Sequence, residues 1–531
     1  MILLSMKPLL PLKIHRKIFI GSGLLAIVSL PFSKFTLTIA LMVFTANWLL
    51  EGQWQPKWIR LKSNYSVFFF FGLYFSLFFG LLLTHNLIYG IKEITQKLPL
   101  LLIPLVFAST KPVTKREKHI LLGTYVLAVL VYSLFSLYIF FSNYCGFGNL
   151  REISPFVSHI RFSLMVNISI AIVIWCMSSL RSLSKVKLFF GAILLSWFAV
   201  YLFILQSLTG IVVLILMVSL YCVYYAFKLE KRVYKVSIAF GFLLLWVTAI
   251  SYIVLNAREY FGNRQQVSEL ALNERTENGN LYKNNLNYIQ YENGNLVWVN
   301  VCREELEKEW NARSSIKYTD KDKLNQPISS TLIRYLTSMG LNKDSVGVWN
   351  LSEEDIAFIE QGATNVMFKE HRIGFYPRLY QTFWEIDQYR IYGQVSGSSL
   401  VQRYVFARAG VNIFLNNFWF GVGTGDLIDV FEDFYKDNEP KLKPEFWFLS
   451  HNQFLTQAVQ VGFVGLLIFI WGWFYPLYQQ RKKIDLLSLV FFLIITLSML
   501  NEDTLQTHTG VSLTAFFYGL LFFSVDNKKG I

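Results

Sequence analysis

Charge is what this sequence has least of for its length. Only 16% of its 531 residues are Asp, Glu, Lys or Arg, against 54% hydrophobic and 17% aromatic, and the mean hydropathy is +0.40. A soluble chain carries about 25% charged residues, so the shortage excludes an ordinary water-soluble domain and implies a membrane protein. Cysteine is scarce too. Of four, Cys176 and Cys222 fall in apolar runs, while Cys145 and Cys302 are the one pair that would lie outside the membrane, where a disulfide could form. No His, Cys or carboxylate spacing resembles a metal site, neither H-x-x-x-H nor H-E-x-x-H occurs, and no G-x-S-x-G elbow offers a serine nucleophile. A small-residue cleavage site is also missing after the first apolar run, which therefore reads as a retained span rather than a signal peptide.

What is present is a series of apolar runs near the length needed to cross a bilayer. Twelve are expected, at 18–32, 35–50, 65–84, 94–109, 120–142, 162–180, 188–205, 210–227, 236–255, 458–478, 486–500 and 508–525. The fourth, with Pro99 and Pro104 and an amphipathic lead-in from Ile88, is expected to be broken or re-entrant. Alternate short connections hold 23 Lys and Arg on one side and only five (Lys34, Lys92, Lys97, Arg151 and Arg161) on the other. Bases concentrate on the cytoplasmic side, which predicts cytoplasmic termini. The long connection 256–457 holds 21 basic and 26 acidic residues, so the net charge of +14 comes from topology and implies no nucleic-acid partner.

The predicted fold class is therefore an all-α polytopic membrane protein of about twelve transmembrane helices, with one large mixed α/β loop domain between spans 9 and 10. Four parts are expected: an N-terminal bundle at 1–255, an outer insert at 256–395, outer helices and a loop at 396–457, and a C-terminal bundle at 458–531. In the insert, "NYIQYENGNLVWVNV" alternates around Asn293-Gly294 as a type I′ hairpin does. Three stretches read as helices: "REELEKEWNARS", "SSTLIRYLTSMGL" and "SEEDIAFIEQGA", the last with Ser352 as N-cap. Nothing in the insert reads as catalytic; a structural or acceptor-shaping role is expected.

The second outer part carries the candidate chemistry. Ser450 with Gln453 fits a capping box, which would put His451 and Asn452 in the first turn of a helix, among free N–H groups that favour an anion and a neutral imidazole. Ser399 with Gln402 repeats the pattern and places Arg403 just inside a second helix, and a guanidinium grips phosphate with paired hydrogen bonds. Arg408 lies on another face and reads as solvated. "GVGTGD", with Gly423 and Gly425, lacks the third glycine of a dinucleotide fingerprint and the Lys-Ser/Thr of a P-loop, so it reads as a turn that lets backbone approach a ligand or a helix. "SHIRF" (His159, Arg161), "QSLTG" (Gln206, Ser207, Thr209) and "NEDTLQTH" (Glu502, His508) fall on the same outer side. Polar candidates gathered on one face argue for chemistry at that membrane surface.

"QRYVFARAGVNIFLNNFWFGVGTGD", "SHNQFLTQAVQVGFVGLLIF" and "NEDTLQTHTGVSLTAFFYGLLF" together resemble the O-antigen ligase and polymerase family of bacterial membrane glycosyltransferases. The resemblance covers about 396–525, with weaker support from "SHIRFSL" and "QSLTGIVVL". It implies transfer of a glycan from an undecaprenyl diphosphate carrier to an acceptor hydroxyl, with inversion and without cofactor or metal. The implied acceptor is lipid A core, with polymerisation of the glycan or transfer to a protein as alternatives, and the implied place is the bacterial inner membrane with the large loop periplasmic. On this resemblance His451 is the base, Arg403 binds the donor diphosphate, and Asn452 orients either group. Ser450, Gly423, Gly425, Glu502, His159 and Thr209 support them. Where the family often has a further arginine this chain has Leu208, and either Arg161 supplies that charge or donor binding differs. A transporter or flippase is the non-enzyme alternative; it would need ionisable residues at mid-membrane or repeated halves, of which the sequence shows few.

Overall fold

The computed structural model describes residues 8–143, 153–179, 184–266, 272–371 and 375–524. Cys145 and Arg151 lie outside them, and with Cys145 the expected pairing to Cys302. The chain is mostly helical. Its N-terminal bundle comprises α1 (Leu12–Phe32), α2 (Lys34–Leu50), α3 (Trp54–Ser63), α4 (Ser66–Phe70), α5 (Gly72–Leu81), α6 (Leu87–Lys97), α7 (Pro99–Ser109), α8 (Lys115–Asn143), α9 (His159–Ser179), α10 (Lys185–Ile204), α11 (Leu208–Lys228) and α12 (Arg232–Gly262). Among the described residues seven helices are long and apolar enough to cross a membrane, eight if α2 and α3, bent by 112°, count as one span. The other expected spans are helical but shorter, among them Ser66–Leu81, Leu486–Asn501 and His508–Phe523. The fourth run is interrupted at its first proline, where α6 ends at Lys97 and Pro99 opens α7, whereas Pro104 lies inside α7.

Apolar side chains meet in the bundle core, where Phe107 packs on Phe44 and Phe516 with ring centroids 5.4 and 5.3 Å apart. Base-rich connections meet one another at one end. Arg16 reaches Glu117 and the Lys111 carbonyl, Arg60 reaches the Ser109 carbonyl, and Lys118 reaches Asp485. Helix α12 is the exception to burial: no residue of it is buried. A helix apolar all round that a bundle does not cover is at home only in lipid.

The outer insert contains β1 (Tyr291–Glu292), β2 (Asn295–Leu296), α13 (Arg303–Arg313), α14 (Ile328–Ser338), α15 (Ser345–Trp349), α16 (Glu353–Glu360), α17 (Met367–Glu370) and α18 (Tyr376–Tyr392). The hairpin is there, with Asn293 at φ 48° and Gly294 at φ 83°. Its strands are only two residues long, so the expected mixed α/β character reduces to one small ribbon on helices. The alternating residues go instead to a helical core: Val297 and Val301 are buried with Trp310, Leu332, Tyr335 and Ile359. Ser352 caps α16 in a full capping box with Asp355, as expected. Buried Glu292 joins the hairpin to two helices, accepting from Arg334 Nε of α14 at 2.8 Å and from the Tyr380 hydroxyl of α18 at 3.0 Å. Helix α18 also packs on the outer end of α12, through Tyr260 against Tyr380 (5.1 Å) and Arg264 against Asp387 (3.1 Å).

Then follow α19 (Ser399–Asn416), α20 (Leu427–Asn438), α21 (Gln453–Gln480), α22 (Leu486–Asn501) and α23 (His508–Tyr518). Helix α21 is kinked at Gly462, whose φ is 68°. The kink frees carbonyls of Val459 and Gln460, and the glycine-rich turn fills the gap: Val422 N–H donates to Val459 O at 2.9 Å and Gly423 N–H to Gln460 O at 3.1 Å. A Cβ at Gly462 would stand 2.3 Å from the Phe420 nitrogen, so only glycine permits this approach.

Candidate active site

A cavity of about 630 Å³ opens at the end of the bundle where α9 and α11 begin and α22 ends. Helix α9 supplies His159 and Arg161 to its wall, the start of α11 supplies Leu208 and Thr209, α19 supplies Gln402 and Arg403, and the segments flanking α21 and α22 supply His451 and Glu502. His159, Arg161, Thr209, Arg403, His451 and Glu502, from five stretches distant in the chain, thus meet in one place. Asn501 Nδ2 donates to Thr209 Oγ1 at 2.6 Å and ties α22 to α11 there.

Two expected helix starts are corrected. Helix α21 begins at Gln453 with Asn452 as its cap, the Asn452 Oδ1 accepting from Leu455 N–H at 3.1 Å, so Ser450 is not the cap and His451 stands outside the helix. The competing partner is Asp503: its carboxylate accepts the His451 N–H at 2.9 Å and the Thr456 hydroxyl at 2.5 Å, which holds His451 at φ 51°. Ser450 bonds instead to Thr456 Oγ1 at 2.7 Å. For α19 the cap position is Ser398, without a side-chain bond, and Ser399 Oγ accepts from Arg378 Nη2 at 2.5 Å.

Arg403, Glu502 and His451 form a chain. Arg403 Nη2 donates to Glu502 Oε1 at 2.5 Å, and Glu502 Oε2 lies 3.3 Å from His451 Nδ1, close enough to attract a proton-bearing ring but not aligned as a hydrogen bond. Burial works to raise the Glu502 carboxyl, yet His451 and Arg403 beside it outweigh burial and hold it below its ordinary value. Asp503 goes the other way. Burial pushes it up, against the opposing pull of Thr456 and His451. Phe406 and Phe448 flank the imidazole at 5.4 and 6.0 Å. In the same wall Arg161 Nε is buried without a hydrogen-bond partner among the described residues.

Other candidates fall elsewhere. Gly423 and Gly425 pack against Thr84 and Asn86 beyond the end of α5, so the turn approaches a helix, the second of the two uses its sequence allowed. Asp426 there accepts from the backbone N–H groups of His85 and Asn86. His508 lies 3.3 Å from Thr38 Oγ1 and does not line the cavity. Arg408 pairs with Glu439 away from it. Conversely, the insert gives the cavity Arg378, Gln381 and His371, which the sequence reading did not single out. Arg378 donates to Gln381 Oε1 at 2.7 Å and lies 3.8 Å from Glu385 Oε1. Their spacing of three and four residues marks one helix face, a polar stripe visible in "YPRLYQTFWEIDQY".

Residues 361–470 match the family model described as O-Antigen ligase. Over these residues the chain is similar to the O-antigen ligase family. That segment, about a fifth of the chain, contains Arg378, Arg403 and His451, while Arg161, Thr209 and Glu502 reach the same cavity from outside it. The match supports O-antigen ligase-type glycosyltransferase activity in general, set in a multi-pass membrane protein. A search of the curated proteins found no match.

Proposed function

We propose that this protein transfers a glycan from an undecaprenyl diphosphate carrier to an acceptor hydroxyl, with lipid A core as the acceptor. The observation that carries this reading is the convergence of three arginines, Arg161, Arg378 and Arg403, on the cavity that also holds His451. Guanidinium groups stay charged and match diphosphate oxygens in pairs, and the orphaned Arg161 Nε–H provides a donor that Leu208 does not.

In the step proposed, His451 takes the proton of the acceptor hydroxyl. The acceptor oxygen bonds to the anomeric carbon from the face opposite the diphosphate, the bond from that carbon to the diphosphate oxygen breaks, and its electron pair leaves with the carrier. The anomeric centre inverts. Arg403 and Arg161, with Arg378, stabilise the charge that grows on the leaving group, so activation comes from the carrier and the reading needs no metal. Glu502, beside Nδ1, stabilises the imidazolium formed in the step, as an orienting carboxylate does in other base-assisted sites. The cavity would face the periplasm and both termini the cytoplasm, which the meeting of base-rich connections at one end of the bundle supports.

The test is complementation. A cell lacking its own ligase but supplied with carrier-linked glycan and core receives this chain or its His451→Ala variant, and glycolipids are resolved on gels. Wild type should deplete carrier-linked glycan and extend the core; the variant should not. Transfer by the variant at the wild-type rate would remove His451 as the base, and no transfer by wild type would remove the reading.

A further inference from the structure

A second cavity, of about 580 Å³, lies on the outer insert and has no part in the step above. The end of α12 gives it Tyr252, Asn256 and Glu259, the hairpin turn gives Asn293, and the insert gives Glu370 and Tyr376. His371 lines both cavities, so the two adjoin. The hydroxyl of Tyr260, also in its wall, is buried without a hydrogen-bond partner among the described residues.

Their charges differ in kind. The first cavity has three arginines against one carboxylate in its wall, whereas the second has Glu259 and Glu370 and, among the described residues, neither Lys nor Arg. A phosphate or a carboxylated sugar would meet repulsion there. Asparagine amides and carboxylates together can both donate to and accept from hydroxyl groups, and tyrosine rings add flat apolar area with a polar rim. Tyr252 lines the cavity from near the outer end of α12, and Tyr376 holds its ring 5.2 Å from His371 at the junction. The volume is in the range of small-molecule sites, about 300–1,000 Å³.

We propose that the second cavity seats an uncharged or amino-bearing stretch of glycan, continuous with the sugar that reacts in the first. This rests on the glycosyl-transfer reading, since that reading brings a glycan to His371; the sugars could belong to the donor chain or to the acceptor chain. The diphosphate stays with the arginines while hydroxyl-rich, phosphate-free sugars extend over the tyrosines.

Transfer kinetics of the full-length protein in lipid nanodiscs test it, with carrier-linked glycan and core acceptor varied in turn. Tyr252→Ala/Tyr376→Ala should raise the KM of one of these substrates at least about fivefold, as the loss of two ring contacts implies, and leave kcat within about twofold. A raised donor KM assigns the seat to the donor chain, and a raised acceptor KM to the acceptor. Both KM values unchanged would overturn the proposal. Tyr252→Ala alone guards against misfolding and should show the same direction. A binding arm separates this failure from failure of the transfer reading: saturation-transfer NMR with lipid-free glycans released by mild acid from the carrier pool and from the surface glycolipid. At least one glycan should bind wild type and Arg403→Ala but not the double variant. No binding to wild type, or equal binding to the double variant, overturns the seat even where no transfer is detected.

Discussion

Replacing Glu502 by Gln keeps the side chain's shape and removes its charge, and its consequence can be worked from the contacts. The Arg403 contact is 2.5 Å long with the two side chains 30% and 11% exposed, so it is neither a solvated surface pair nor a dry one. Unit charges about 4 Å apart near a protein surface attract by up to about 4 kcal/mol, and a loss of about 1.4–2.8 kcal/mol of that attraction corresponds to about 10- to 100-fold in rate if it is realised in the transition state. It is realised there, because the charge opposite Glu502 that changes during the step is the one arriving on His451, whose Nδ1 is 3.3 Å away. Donor binding should change little, since Gln can still accept from Arg403 and the remaining guanidinium donors keep their charge. Glu502→Gln should therefore lower kcat by about 10- to 100-fold with donor KM within about threefold. The assay is glycan transfer in nanodiscs, with the thermal midpoint as a check on folding. A kcat within about twofold of wild type, or a rise in KM at constant kcat, would refute the coupling of Glu502 to His451.

Arg403→Lys keeps the charge but not the fork, and transfer should fall at least about tenfold; equal activity would show that Arg403 makes no paired grip on the diphosphate. Gly462→Ala places a methyl 2.3 Å from the Phe420 nitrogen at positive φ, and thermal unfolding should show a loss above about 3 kcal/mol or no folded protein. Arg334→Met leaves the fully buried Glu292 without its cation and should destabilise the insert by about 3–5 kcal/mol, read as faster amide exchange in α14 and α18. Burial works to raise the Glu305 and Asp355 carboxyls, but hydrogen bonds from Thr276 and Ser345 to the first, and from Lys369 and Ser352 to the second, hold both at about 2. A depressed folded value means that their stabilisation is complete above the unfolded value near 4 and is lost as pH falls from there towards 2. Amide exchange over 276–369, corrected for intrinsic rate, should accelerate in that window and not between pH 6 and 8.

Much of the fold was legible because membrane helices are specified locally: an apolar run of sufficient length has to satisfy its own backbone in lipid. The break at Pro99, the Asn293-Gly294 turn and the Ser352 cap were legible for the same reason, each being decided within a few residues. The start of α21 was not. Ser450 and Gln453 satisfy a local rule, but Asp503, 52 positions from His451, accepts the His451 N–H and moves the cap to Asn452. Nor was the bend between α2 and α3, or the fit of the glycine-rich turn into the α21 kink, where the deciding contacts join residues about 40 positions apart.

The sequence by itself determined the solvent, the helical class and the kinds of side chain available for anion binding and proton transfer, since composition and short-range patterning suffice for these. Tertiary structure alone decided which of them meet. It brought His159, Arg161, Thr209, Arg403, His451 and Glu502 to one cavity, added Arg378 from an insert that looked inert, and sent Gly423, Gly425 and His508 elsewhere. The physical reason is that a cavity is made of contacts between helix ends far apart in the chain, and packing of the apolar faces, not the polar residues, sets where those ends fall.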